Sequence, residues 1–175
     1  MTTLSLRPAT AADLDALVAL VNSAYRGESS KKGWTTEADL LGGQRTDPVS
    51  LGKTMGAPDN VILVHESEGR LLACVHLEKH GEQGAYLGML TVEPTLQAGG
   101  FGKRLLAAAE EWARTQWGTR SIHMTVIRQR KALIAWYERR GYRLTGETKP
   151  WPYGDDSFGL PKVPDLIFEV LEKAL

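Results

Sequence analysis

Apolar and polar positions change period several times along the chain, and those changes mark out its elements. Leu4 to Pro8 predicts a short opening strand. Thr10 and Asp13 stand at capping-box spacing. Leu14, Leu17, Val18, Val21 and Tyr25 then recur on one helical face, predicting a helix over 11–24. The pattern weakens from Gly27 to Pro58. There, Thr35 and Thr36 ahead of Glu37 to Leu41, and Asp47-Pro48 ahead of Val49 to Met55, each supply a cap and a first turn, predicting two short helices. Asn60 to Glu66 and Leu71 to Lys79 are β-rich runs joined by the turn Ser67-Glu68-Gly69-Arg70, a hairpin pattern. Ala85 to Val92 predicts another strand, ended by Glu93-Pro94 and a glycine cluster.

Helical spacing returns with Leu105, Ala109, Trp112 and Ala113 and lasts to about Trp117. Arg120 to Arg128 predicts a strand with Ile122, Met124 and Val126 on one face. Lys131 to Arg140 predicts a helix closed by Gly141. Tyr142 to Thr148 and Leu166 to Leu171 supply two last strands across a Pro/Gly-rich loop. Helices interleaved with strands in this order imply one α/β domain over 1–175, with a mixed sheet covered by helices on both faces.

Composition narrows the function classes. At 175 residues and 42% hydrophobic, the chain can close a sizeable core without disulfides or a structural metal, and no metal is expected. Its 21 Lys plus Arg balance 21 Asp plus Glu, so the overall field favours neither nucleic acid nor an anionic membrane as partner. The single cysteine, Cys74, lies in an apolar run and reads as a buried, inert thiol. Met1 to Asp13 lacks a basic leader, and no apolar run approaches the roughly 18 residues that span a bilayer, so a soluble cytoplasmic protein is expected.

The stretch Gln97-Ala98-Gly99-Gly100-Phe101-Gly102-Lys103-Arg104 sits between a strand and a helix. Glycines let the backbone turn tightly and approach a ligand, and amides at a helix start, with its positive dipole end, can surround phosphate oxygens. A P-loop would need glycine at Gln97 and a hydroxyl residue at Arg104. A dinucleotide fingerprint would need a small residue at Leu105. Both patterns fail, leaving a pyrophosphate site of another kind or a purely structural strand-to-helix turn.

Gln97-x-x-Gly100-x-Gly102 resembles the acyl-CoA pyrophosphate loop of the GNAT acyltransferase superfamily. The segment Arg120 to Tyr142, ending Trp136-Tyr137-Glu138-Arg139-Arg140-Gly141-Tyr142, resembles that family's next strand and helix. The resemblance implies a GNAT-type fold with a central, mostly antiparallel sheet, and an enzyme that uses acetyl-CoA as cosubstrate. It implies that main-chain groups of Leu90, Thr91 and Val92 hold the pantetheine arm. Amides of Gln97, Ala98, Gly99, Gly100, Phe101 and Gly102 would hold the pyrophosphate, with Lys103 and Arg104 as weaker candidates. Where the family often has Asn, this chain has Arg130, which suggests a guanidinium contact to a CoA phosphate. Tyr137 matches the tyrosine that many members use to protonate the departing thiolate; its plain alternative is a core tyrosine packed beside Trp136.

The acceptor side is less determined. An amine of pKa near 10 is only about a thousandth neutral at pH 7, so something must take its proton. The position where some relatives carry a glutamate is Tyr86 here, leaving Glu28, Glu82, His123, Asp155 or Asp156. The resemblance implies that the loops over Tyr25 to Trp34 and Lys149 to Pro164 wall the acceptor pocket. The second of these holds Trp151, Tyr153, Asp155, Asp156 and Phe158, groups suited to a cationic amine. The expected activity is acetyl transfer to a primary amine of a small molecule or amino-acid derivative by direct attack in a ternary complex. Alternatives are transfer to a protein N-terminus or lysine, and a non-catalytic acyl-CoA-binding sensor. Dimers are common among such proteins, so a homodimer is possible.

Overall fold

The computed structural model describes residues 4–26, 31, 36–155 and 159–175. Its main sheet contains β1 (Arg7–Pro8), β3 (Asn60–Ser67), β4 (Arg70–His80), β5 (Gly84–Val92), β6 (Ser121–Ile127), β7 (Arg143–Pro150) and β9 (Ile167–Ala174). Their spatial order is β1-β3-β4-β5-β6-β9-β7, and β2 (Leu41–Gly42) pairs separately with β8 (Leu160–Pro161). All neighbours run antiparallel except β5 and β6. The helices that matter here are α1 (Leu14–Tyr25), α2 (Pro48–Gly56), α3 (Phe101–Trp117) and α4 (Lys131–Glu138).

Strand alternation distributes the core between two faces. Leu63, Ala73, Val75, Leu77, Leu87, Ile122 and Met124 bury against Leu105, Leu106, Ala109 and Ala113 of α3 and Ile134 of α4. Ile62, Val64 and Cys74 bury on the other face against Leu17, Leu20 and Val21 of α1 and Leu51 of α2. Cys74 is fully buried, and burial pushes its thiol up to about 12, which matches an inert role. A third cluster of Leu41, Ile127, Trp151 and Leu166 lies at the β2–β8 ribbon.

Local chemistry sets most boundaries as the periodicity predicts. Asp47 accepts the Ser50 amide at 2.9 Å with Pro48 in the first turn of α2. In the β3–β4 turn Glu68 and Gly69 both take positive φ, 51° and 75°, the twist a two-residue hairpin favours. Gly141, at φ 97°, lets the chain leave α4 and return as β7. The short helix expected over Glu37 to Leu41 is instead a single turn. The amides of Leu40 and Leu41 both donate to the Glu37 carbonyl, at 2.9 and 2.8 Å. Leu41 then pairs with Pro161, which converts the segment to strand before a second turn can form. Thr35, expected to cap it, lies outside the described residues.

Candidate active site

Strands β5 and β6 pair in parallel only at Gly84–Ser121, Ala85–Ile122 and Tyr86–His123. Beyond that point β5 follows β4 and β6 follows β9, so the sheet forks. The fork coincides with a bulge: between the pairs His76–Gly88 and Cys74–Thr91, two β5 residues, Met89 and Leu90, oppose Val75 alone. Met89 takes φ 53°, a backbone region that costs a non-glycine residue about 1 kcal/mol or more. Neighbours secure the bulge. The Thr91 hydroxyl donates to the Met89 carbonyl at 2.9 Å, and the Tyr25 hydroxyl donates to the Leu90 carbonyl at 2.7 Å. Burial pushes the Tyr25 phenol up to about 12, which keeps its proton in place for that bond.

Two cavities open from the fork. The first, about 370 Å³, lies between the end of β5, the glycine turn and α4. Leu90, Thr91, Val92, Gln97, Gly100, Gly102 and Lys103 line it. Gly100 takes φ 74° and caps α3, whose first intrahelical bond runs from the Arg104 amide to the Gly100 carbonyl at 3.3 Å. The amides of Phe101, Gly102 and Lys103 precede that bond and are left to other acceptors. A side chain at Gly99 or Gly100 would meet only open space, as a turn that admits a ligand against its backbone requires. Gln97 donates through Nε2 to the Val92 carbonyl at 3.1 Å and leaves Oε1 buried, with no donor among the described residues. A ligand amide N–H would complete it. The wall therefore offers donors for phosphate oxygens at one end and, close to the strand, an orphaned acceptor suited to an amide-bearing arm, a combination that fits an acyl-CoA.

The second cavity, about 390 Å³, lies between the arms of the fork on the Tyr86 side. The His80, Tyr86 and His123 rings gather there, with His123 centred 4.9 Å from His80 and 5.5 Å from Tyr86, and the His76 ring meets Tyr86 edge-on at 6.3 Å. Burial and the neighbouring His80 and Lys149 hold His123 below the usual 6.5, so it is neutral at pH 7 and able to accept a proton. Gly88 makes room for this cluster, since a Cβ there would meet the Tyr86 ring at 2.8 Å. On the opposite wall the Glu37 carboxylate accepts from Arg26 Nε and Nη2 at 3.1 and 2.9 Å and from Arg130 Nη1 at 3.2 Å.

Tyr25, Leu90, Arg130, Leu133 and Tyr137 line both cavities and so mark their junction. Tyr137 packs edge-on between Trp136 and Tyr142, at 5.1 and 5.7 Å between centroids. It is buried, and among the described residues its hydroxyl has no hydrogen-bond partner. Burial drives its pKa well above the usual 10, so the phenol keeps its proton at physiological pH.

The structure thus gathers most of the residues singled out by sequence, and sorts them. Arg130 lines the first cavity but shares its guanidinium with Glu37. Phe101 turns its ring toward His65, 5.5 Å away, and Arg104 stacks on Phe101 at 5.2 Å, so neither side chain lines the cavity. The backbone of Ala98 belongs to the turn between β5 and α3. Of the base candidates, His123 lines the second cavity while Glu82 and Asp155 line neither. Trp151 faces that cavity; Tyr153 instead donates to the Val163 carbonyl at 2.9 Å, at the surface. Glu28, Trp34, Asp156 and Phe158 lie outside the described residues. Arg26, within the Tyr25 to Trp34 loop expected to wall the acceptor pocket, lines the second cavity, whereas sequence reasoning missed Glu37, Arg45, Arg139 and Arg140 as wall residues. A glutamate and several arginines scattered through polar segments carry no periodic signal.

Comparison with known proteins points the same way. The chain matches the family model described as the acetyltransferase (GNAT) family over residues 15–142. It is 32% identical over 135 residues to a mycothiol acetyltransferase of Salinispora tropica, covering 75% of this chain and 41% of that protein. Among solved structures, the ribosomal-protein-alanine N-acetyltransferase of Brucella melitensis superposes with a TM-score of 0.69 at 22% identity, over 98% of this chain and 100% of that one. A Bacillus anthracis acetyltransferase solved in complex with acetyl coenzyme A superposes with a TM-score of 0.57 at 20% identity, over 71% of this chain and 67% of that one. The matched span takes in nearly all of α1, the fork, the glycine turn and α4, and on that ground the chain belongs to the GNAT family of acetyltransferases.

Proposed function

We propose that this chain is an N-acetyltransferase that takes acetyl-CoA into the first cavity and a small primary amine into the second. The observation that carries the reading is the position of Tyr137, a protonated phenol lining both cavities where they meet. The amides of Gln97 to Gly102 would face the pyrophosphate, Gln97 Oε1 the pantetheine arm, and Lys103, Arg139 and Arg140 the remaining phosphate charge. Acetyl-CoA supplies an activated acyl thioester. The chain's own residues hold the two reactants and handle two protons.

The first proton leaves the incoming ammonium, and neutral His123 takes it, directly or through water. The amine nitrogen then bonds to the acyl carbon and the carbon–sulfur bond breaks with its electron pair on sulfur. The second proton passes from the Tyr137 hydroxyl to that sulfur, and the proton that the acylated nitrogen must still shed returns to the Tyr137 oxygen and restores the phenol. A thiol comparable to Cys ionises near pH 8.5 and a free phenol near 10, so the transfer is uphill in water. Burial raises the Tyr137 phenol further, so the transfer depends on the thiolate being formed in the same dry site, where burial disfavours it as well.

The test is release of free CoA thiol from acetyl-CoA across a panel of primary amines. Tyr137→Phe should lower kcat by roughly tens to hundreds of fold with acetyl-CoA affinity retained. Absence of any CoA or acetyl-CoA binding would remove the proposal. Binding without turnover, and no effect of Tyr137→Phe, would instead favour an acyl-CoA-binding module.

A further inference from the structure

The second cavity carries a cation that its own wall leaves unmatched. Glu37 is spent between Arg26 and Arg130, and Glu78 lies 3.5 Å from His80. Arg45 has neither kind of match. It is half-buried, lines the cavity, and stands 5.4 Å from the centroid of the Tyr25 ring. Among the described residues its guanidinium meets no carboxylate and no carbonyl. Withdrawing a guanidinium from water without an anionic partner is costly, so such a group is poised to gain one from a ligand.

Its placement is built rather than incidental. The Asn22 side chain of α1 accepts the amides of Arg45 and Thr46 at 2.8 and 3.0 Å and donates back to the Thr46 carbonyl at 3.0 Å. Arg26 Nη1 donates to the Gln44 carbonyl at 3.0 Å. Four hydrogen bonds from the end of α1 therefore fix residues 44–46, a stretch outside any helix or strand. The ring that Arg45 covers belongs to the same Tyr25 whose hydroxyl secures the Leu90 carbonyl, which sets the guanidinium beside the junction of the two cavities.

We infer that Arg45 is a specificity-determining residue that pairs with an anionic group on the acceptor, and that the acceptor is a primary amine bearing a carboxylate. A planar guanidinium fork matches a carboxylate in two parallel hydrogen bonds, which neither a neutral amide nor a second ammonium can offer. The inference rests on reading the second cavity as the acceptor site. It departs from the cationic acceptor expected from the aromatic and acidic residues of the 149–164 loop; among the described residues of that loop, Lys149 and Trp151 line the cavity.

The experiment compares kcat/KM, with acetyl-CoA as donor, for amino acids of increasing amine-to-carboxylate spacing against the corresponding carboxamides. The free acid of the best pair should be preferred by about 10- to 100-fold, carried by KM. Arg45→Gln should collapse that acid-to-amide ratio toward one, and Arg45→Lys should restore part of it. Calorimetry provides a readout that needs no turnover: the N-acetylated free acid should bind the wild-type protein and lose about tenfold or more in affinity to Arg45→Gln. Equal kcat/KM for acid and amide in the wild-type protein would overturn the inference while leaving acetyl transfer intact, as would a ratio that survives Arg45→Gln. If no amine of either series releases CoA, acetyl transfer itself fails and the inference falls with it.

Discussion

Around the first cavity nearly half of the lining residues belong to one short stretch, residues 90–103, and two of these are glycines, which present only main chain. The second cavity is walled by side chains from residues as far apart as Arg26 and Phe168. A surface made of amides is damaged by an added Cβ and is indifferent to most charge changes. A surface made of packed and paired side chains is damaged when one partner is removed. The two halves of the site should therefore respond to opposite kinds of substitution, and both should respond at the few residues they share.

The largest effect is expected at Glu37. Glu37→Ala removes the carboxylate that Arg26 and Arg130 share in a buried setting and should cost about 3–5 kcal/mol of stability, read as a lowered urea midpoint. If the variant stays folded, amine KM should rise while acetyl-CoA affinity at the glycine turn holds. Equal losses at both cavities would break the contrast.

Next is the pH profile of kcat/KM. His123 sits below 6.5 in the folded protein and works only when neutral, so activity should hold as pH falls to 6.5 and decline about tenfold per unit below its lowered pKa. His123→Gln should remove that limb, and an unchanged profile would assign the proton to another group. Gly100→Ala follows. At φ 74° an alanine costs about 1–2 kcal/mol, and a free turn that relaxes away from this geometry should show the cost as a 5- to 30-fold loss of acetyl-CoA affinity, measured by calorimetry. The smallest effect belongs to Lys103→Ala. A solvated lysine should contribute only about two- to fivefold to that affinity, shrinking as salt is raised. A larger loss would move the first cavity toward a side-chain-built site.

The same contrast explains what could be read in advance. A turn that depends on backbone geometry advertises itself through Gly100 and Gly102, and Tyr137 lies on a helix whose Trp-Tyr-Glu-Arg-Arg-Gly-Tyr sequence is distinctive. Both arms of the fork were legible as strands. The fork itself was not, because the residue that turns the chain at the bulge is Met89, and methionine gives no hint of a positive φ. The buried Arg26–Glu37–Arg130 cluster was likewise invisible, since its members are separated by 11 and 93 positions and nothing in the sequence pairs Arg130, read as a phosphate contact, with Glu37. Arg45 sits after Gly42-Gly43-Gln44 in what reads as plain loop, and only the hydrogen bonds from Asn22 and Arg26 show that the loop is held. The failed helix at Glu37 to Leu41 has the same origin, a long-range pairing with Pro161 overriding a local cap.

Arg26 ends α1, which packs beside β4 and β5, whereas Arg130 begins α4 directly after β6, so one carboxylate bridges elements on the two diverging limbs of the sheet. That cross-brace fixes the aperture before any substrate arrives. Whatever enters meets a frame of set width, and new residues on the walls can reshape the cavity without prying the limbs apart or disturbing the glycine turn.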